Sequence, residues 1–118
     1  MKKYTTFFVC CLITLITAAS VHAQFTGPGA QQAQAVTVSQ ANTLANKTPV
    51  ILTGTIVQAN GREKYTFRDS TGEIIIEIER KAWQGISVGP SDTVEISGKV
   101  EKELFRKRRI EVKTIRIL

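Results

Sequence analysis

From residue 49 onward, apolar and polar positions alternate with a period of two, as they do in strands with one buried face. Residues 49–59 place Val50, Leu52, Gly54 and Ile56 on one parity and Thr53 and Thr55 on the other. Residues 64–69 set Tyr65 and Phe67 against Lys64, Thr66 and Arg68, and residues 73–79 set Ile74, Ile76 and Ile78 against Ile75, Glu77 and Glu79. Between these two segments lie Asp69, Ser70, Thr71 and Gly72, which offer the side-chain capping and backbone freedom of a tight turn, so the pair is predicted to form a hairpin. Residues 93–103 put Val94, Ile96, Gly98 and Val100 on one parity. Residues 108–118 begin with Ile110 and Val112 in phase and then slip by one to Ile115 and Ile117, as a β-bulge would produce.

Two of these strands share one pattern. Val50-x-Leu52-x-Gly54-x-Ile56 matches Val94-x-Ile96-x-Gly98-x-Val100 position for position. Glycine in the middle of an apolar strand face weakens the strand unless the chain must bend there or admit another backbone closely. The coiled strands of a small closed barrel have that need. The segments between strands read differently. Residues 36–46 carry Ser39 as a helix cap before Ala41, Leu44 and Ala45, which predicts a short helix. Residues 81–85 break the alternation, contain Trp83 and end in Gly85, which predicts a helical turn that plugs one end of a barrel with the indole. Three strands, a short helix and two more strands is the order of the OB-fold, a mainly β, five-stranded Greek-key barrel, here over residues 36–118.

The amino-terminal residues change which chemistries are open to the chain. Lys2 and Lys3 precede an apolar run over residues 7–19, and Val21-His22-Ala23 follows before the composition shifts at Gln24. This is the order of a secretory signal peptide, with cleavage expected after Ala23. The apolar run is shorter than the roughly 20 residues of a spanning helix, so no transmembrane segment is expected once it is removed. Loss of 23 residues from 118 leaves 95, one domain's worth of chain. Residues 24–35, rich in Gln, Ala and Gly and free of charge, are expected to be a flexible leader. Cys10, Cys11 and His22 all belong to the removed segment. Thiol and imidazole nucleophiles, disulfides and Cys/His metal sites are thereby excluded, no metal ligand is assigned and no cofactor is expected, while weak metal binding by surface carboxylates is left open by the sequence. The 16 Lys and Arg fall to 14 with the loss of Lys2 and Lys3, against 10 Asp and Glu. That excess is mild and favours anionic partners.

Arg106, Lys107, Arg108 and Arg109 stand in a row after Phe105, in the segment between the last two strands. In an OB barrel this loop flanks the usual ligand face, so the run is a candidate anion-binding tip for phosphate, lipid A or nucleic acid. Its bland alternative is a solvated turn. The outward parity of the second and third barrel strands adds Lys64, Arg68 and Glu77 as candidate ligand-binding residues, weighed against simple cross-strand ion pairing. Glu77 and Glu79 would stand about 6–7 Å apart on one side of a strand, a spacing compatible with glycoside hydrolysis. They occupy a flat exposed face, however, and no catalytic residue is assigned. Tyr65 and Phe67 have core parity, and no aromatic residue stands on the outward parity of these strands. That argues against base stacking.

The segment Thr66-Phe67-Arg68-Asp69-Ser70-Thr71-Gly72-Glu73-Ile74, with Trp83-x-Gly85 and the Val94-x-Ile96-x-Gly98-x-Val100 strand, resembles the bacterial OB-fold (BOF) family of small periplasmic proteins, the YgiW/YdeI stress-tolerance group. The resemblance covers about residues 36–118. It implies a periplasmic, non-enzymatic binding protein linked to envelope stress and brings no catalytic residues with it. The expected partner is an envelope component (a glycan, lipopolysaccharide or another exported protein). The alternative is an extracytoplasmic oligonucleotide or polyanion binder that uses the basic run of residues 106–109. Neither the ligand nor the oligomeric state is fixed by the sequence.

Overall fold

The computed structural model describes residues 32–118, so the expected signal peptide and most of the expected leader lie outside the described residues. In chain order the elements are β1 (Gln34–Ala35), α1 (Val38–Ala41), β2 (Pro49–Gly61), β3 (Lys64–Asp69), β4 (Gly72–Ile78), a 3-10 turn (Arg80–Trp83), β5 (Val94–Glu101) and β6 (Arg109–Ile117). The sheet runs β1-β2-β3-β4-β6-β5, and a further pairing of β2 with β5 closes it. The β4–β6 pair is parallel, and the other pairs among the five barrel strands are antiparallel. Five strands joined in this order form the OB barrel that the pattern predicts.

The inward parity is the predicted one. Val50, Leu52, Phe67, Ile74, Ile76, Ile78, Val94, Ile96, Val100, Ile110, Val112 and Ile115 form one buried core. The repeated glycine motif has a definite geometric meaning. The two strands pair with each other so that Val50 faces Gly98, Leu52 faces Ile96 and Gly54 faces Val94. Each glycine thus stands across from the valine that opens the other copy. At Gly54, β2 passes from β5 to β3 as its partner. A Cβ there would overlap the Arg68 carbonyl and lie 2.9 Å from the Phe67 ring. At Gly98 a Cβ would overlap the Glu111 carbonyl. Both positions therefore require close backbone approach, as expected. The bulge also lies where the parity slips: Ser97 faces Thr114 while Gly98 faces Val112, which leaves Lys113 unpaired.

Three local expectations are corrected. The first helix is a single turn over Val38–Ala41, and Thr37 caps it, not Ser39. Thr37 and Gln40 form a reciprocal capping box, with Gln40 N donating to Thr37 Oγ1 and Thr37 N donating to Gln40 Oε1. Gln34 and Ala35, assigned to the leader, pair in parallel with Val50 and Ile51. The helical turn expected over 81–85 is present as a 3-10 turn over Arg80–Trp83, but its buried member is Ala82 and not Trp83. Trp83 is half-buried at the edge of the core and meets Tyr65 edge-to-face, with ring centroids 5.5 Å apart. The small Ala82 side chain fits into the core where an indole does not, so Trp83 covers the core without filling it.

Candidate functional site: a cation-lined groove beside the β5–β6 loop

The outward faces of β3 and β4 set Lys64 opposite Glu77, Thr66 opposite Ile75 and Arg68 opposite Glu73. Beside them, β6 places Arg109 next to Ile75. Ion pairing on this face follows the register at Arg68 and departs from it at Glu77. Arg68 takes Glu73, donating Nε and Nη2 to the same oxygen at 2.9 and 2.6 Å. Glu77 takes Arg109 at 3.2 Å, although Lys64 is its register partner. The rigid guanidinium fork reaches the carboxylate from the next strand, where the flexible ammonium is less tightly held. Glu79 falls past the end of β4 and lies 3.5 Å from Lys81. Glu77 and Glu79 therefore do not form a carboxylate pair on one strand face.

The basic run divides in the same way. Arg109 is the first residue of β6 and not part of the loop. Its guanidinium lies between Glu77 and Glu103, at 3.2 and 2.9 Å. The hydrogen bond to Glu103 raises the Arg109 pKa above its ordinary value, and the same bond lowers that of Glu103. Arg109 is thus a structural clamp from β6 to the loop and to β4. Arg108 donates Nε to the Leu44 carbonyl at 2.8 Å and ties the loop to the segment that follows α1. Arg106 pairs loosely with Glu103 at 3.5 Å, and Lys107 is exposed. The expected four-cation tip is therefore one clamp, one tether and two cations directed to solvent.

These tethers enclose a groove of about 410 Å³. Thr66, Glu73 and Ile75 supply its sheet side, Asn42 its α1 side, and Lys102, Arg106, Lys107 and Arg108 its loop side. Of the candidate residues named from sequence, Arg106, Lys107 and Arg108 line it. Arg68 touches it only through Glu73, and Lys64, Glu77 and Arg109 lie outside its lining. The other six lining residues, Asn42, Thr66, Glu73, Ile74, Ile75 and Lys102, are not among the candidates named from sequence. Asn42 is the C-cap of α1, and Lys102 immediately follows the last residue of β5, so an exact element boundary was the signal needed to find them. Lys102 holds the loop shape by donating Nζ to the Glu103 and Arg106 carbonyls at 3.4 and 3.2 Å, while its backbone N–H donates to Asn46 Oδ1 at 2.9 Å. Four cations against the single carboxylate of Glu73 give the groove a positive wall and a half-buried aliphatic shelf at Ile75. None of its nine lining residues is aromatic, and none is Cys or His. Such a lining can hold an anionic or hydroxyl-rich ligand by hydrogen bonds and charge.

The sequence profile described as "Bacterial OB fold (BOF) protein" matches residues 16–117. The chain belongs to the bacterial OB-fold family. Within that family it is 37% identical over 127 aligned positions to Protein YgiW of Escherichia coli (strain K12), taking in 98% of this chain and 97% of the relative. It is 33% identical over 106 positions to the calcium-regulated OB-fold protein CarO of Pseudomonas aeruginosa, with 90% of each chain covered. The solved structure of the hypothetical protein ygiW from E. coli superposes with a TM-score of 0.70 at 36% identity, over 75% of this chain and 99% of that one. The telomere capping protein Ten1 from Saccharomyces pombe shares the barrel at a TM-score of 0.60 and 13% identity, over 73% of this chain and 81% of its own, a likeness of fold alone. The BOF barrel and its five strands are thus common to this chain and a solved relative of similar sequence.

Proposed function

We propose that this BOF protein is an exported, non-enzymatic binding module of the periplasm that contributes to envelope stress tolerance by holding an anionic envelope component in the groove beside the β5–β6 loop. One observation carries the reading: Lys102, Arg106, Lys107 and Arg108 converge on one groove at the edge of the sheet face that OB folds use for ligands. Export rests on the pattern of residues 2–23, and the stress role on the resemblance to the YgiW/YdeI group. The absence of a thiol, an imidazole or a paired carboxylate from the groove lining supports binding over catalysis. Phosphorylated or carboxylated glycans suit the site, because clustered cations gain by releasing counterions when they meet such polyanions. Single-stranded nucleic acid is the second ligand class with this charge, but the groove offers no ring on which a base could stack.

Amide shifts of the full chain titrated separately with lipopolysaccharide, peptidoglycan fragments and single-stranded DNA will test this. Shifts at Thr66, Ile75 and residues 106–108 are expected with an envelope polyanion. Arg106→Ser with Lys107→Ser should weaken retention on that polyanion about tenfold and flatten its salt dependence by about one unit of slope per lost contact. The barrel should remain folded, because both side chains are exposed. Retention unchanged by the double substitution would remove the groove from consideration.

A further inference from the structure

The β5–β6 loop carries a feature that the groove does not use. Leu104 and Phe105 are 81% and 95% exposed at its tip and do not line the groove. The other exposed large apolar residues among the described residues, Ile117 and Leu118, are less exposed, at 46% and 59%, and lie at and just past the far end of β6. The tip is built and not frayed. Arg106 N donates to the Glu103 carbonyl at 3.3 Å, and the Lys102 ammonium bridges the Glu103 and Arg106 carbonyls across the base of the turn. Phe105 adopts a φ of 63°, the left-handed region that suits glycine and disfavours a residue with a Cβ. An aromatic side chain is thus held out in water, in a backbone conformation unfavourable to it, with no burial among the described residues that would offset either cost.

Charge surrounds this apolar pair. Residues 102–108 contain Lys102, Arg106, Lys107 and Arg108 against Glu103 alone. We propose that residues 102–108 form a membrane-contact tip that seats Leu104 and Phe105 in the headgroup region of an anionic bilayer while the flanking cations meet lipid phosphates. The proposal goes beyond the groove reading, since it adds Leu104 and Phe105, which lie outside the groove, and a planar surface in place of a soluble ligand, while the flanking cations are shared with the groove lining. Interfacial segments bury their apolar side chains about 5–10 Å below the headgroups, a depth two residues on a hairpin tip can reach. The long Lys and Arg stems allow the charged ends to remain at phosphate level as the tip enters. An anionic leaflet attracts basic side chains that come within a Debye length of it. A flat bilayer also accepts a protruding wedge without any matching concavity. No helix among the described residues is long and apolar enough to cross a membrane.

The test uses the full chain and its variants, so that whatever residues 1–31 contribute is the same in every sample. In sedimentation with vesicles of phosphatidylcholine and phosphatidylglycerol, Leu104→Ser with Phe105→Ser should lower the partition coefficient about tenfold, with raised salt weakening the wild type. Retention of soluble polyanions should stay unchanged, which separates this result from any failure of the groove reading. Phe105→Trp provides the second readout: the emission it adds to that of Trp83 should be quenched by lipids brominated on their acyl chains. Equal vesicle binding by the double serine variant, or no quenching of the added emission, would overturn the proposal. So would a double variant that keeps vesicle binding but loses a protein partner, because the tip would then be a protein-docking knob.

Discussion

Gly98→Ala will destabilise the barrel by about 3 kcal/mol, a large share of what a domain of this size possesses. The added methyl would overlap the Glu111 carbonyl oxygen and lie 2.9 Å from its carbon and 3.0 Å from Val112 Cα. All three are backbone atoms of β6, so no side chain can rotate away to make room. Retreat of β6 is opposed from its other edge, where Ile76, Glu77 and Ile78 hold Ile110, Glu111 and Val112 in parallel register. Relief must therefore come from breaking the β5–β6 pairing at the bulge, beside the buried Val112 and Ile115. Thermal unfolding followed by circular dichroism should show Tm lower by roughly 15 °C for Gly98→Ala. Gly98→Val, with two further methyl groups against the same carbonyl, should not yield a folded barrel. Gly89→Ala is the matched control, since its Cβ would meet only Asp92 Oδ2 at an ordinary 3.6 Å. A Gly98→Ala protein that melts within a few degrees of wild type would show that the strands are not in the close approach described.

The legibility of this glycine in the sequence, and the illegibility of other features, have physical causes. Gly54 and Gly98 stood out because each interrupts an otherwise apolar parity, and a side chain's parity in a strand depends only on its own chain. The bulge at Lys113 was readable for the same reason: Ile110 and Val112 share one parity and Ile115 the other, and all three are buried. The β2–β3 hairpin was not readable in this way. Its two turn residues are Arg62 and Glu63, both at positive φ (56° and 64°), where Asn and Gly are the usual occupants. The sequence therefore hid both the turn and the last two residues of β2. The candidate site was legible only in part, because charge along the chain does not reveal which charges meet. Arg106, Lys107, Arg108 and Arg109 look alike as a run. Yet Arg109 is drawn in by Glu77, 32 positions away in the chain, and Arg108 by the Leu44 carbonyl, 64 positions away. Such partners become neighbours only when β4, β6 and the post-helix segment are brought together by the barrel.

Asp69 shows how much one apparent turn residue can hold, and Asp69→Asn should cost about 2 kcal/mol. Its Oδ1 accepts from the Thr71 N–H at 2.7 Å and the Thr71 hydroxyl at 2.6 Å, which shapes the β3–β4 turn. Its Oδ2 accepts from the Val38 N–H at 2.8 Å, at the first residue of α1. Because α1 is one turn long with buried Val38 and Ala41, this contact fastens the helix to the barrel. Asparagine has the same shape but only one acceptor oxygen, so its amide group would present a donor either to the Val38 N–H or to the Thr71 donors. Asp69→Asn should accordingly approach Asp69→Ala in effect. Partial burial by itself would raise the Asp69 pKa, but the hydrogen bonds from Thr71, Val38 and Gly72 outweigh it and lower the pKa below the ordinary 3.8. A carboxyl whose folded-state pKa is lowered contributes stability that is complete above its unfolded value and disappears as pH falls through the folded one. The gap in unfolding free energy between wild type and Asp69→Asn, measured by urea denaturation, should therefore stay constant from neutral pH to about one unit above 3.8 and narrow below that value. Exchange of the Val38 and Ser39 amides should quicken in the variant well before global unfolding, since α1 would detach first. A gap that does not narrow in acid, or amides at 38 and 39 as protected as in wild type, would show that the carboxylate does not hold the helix.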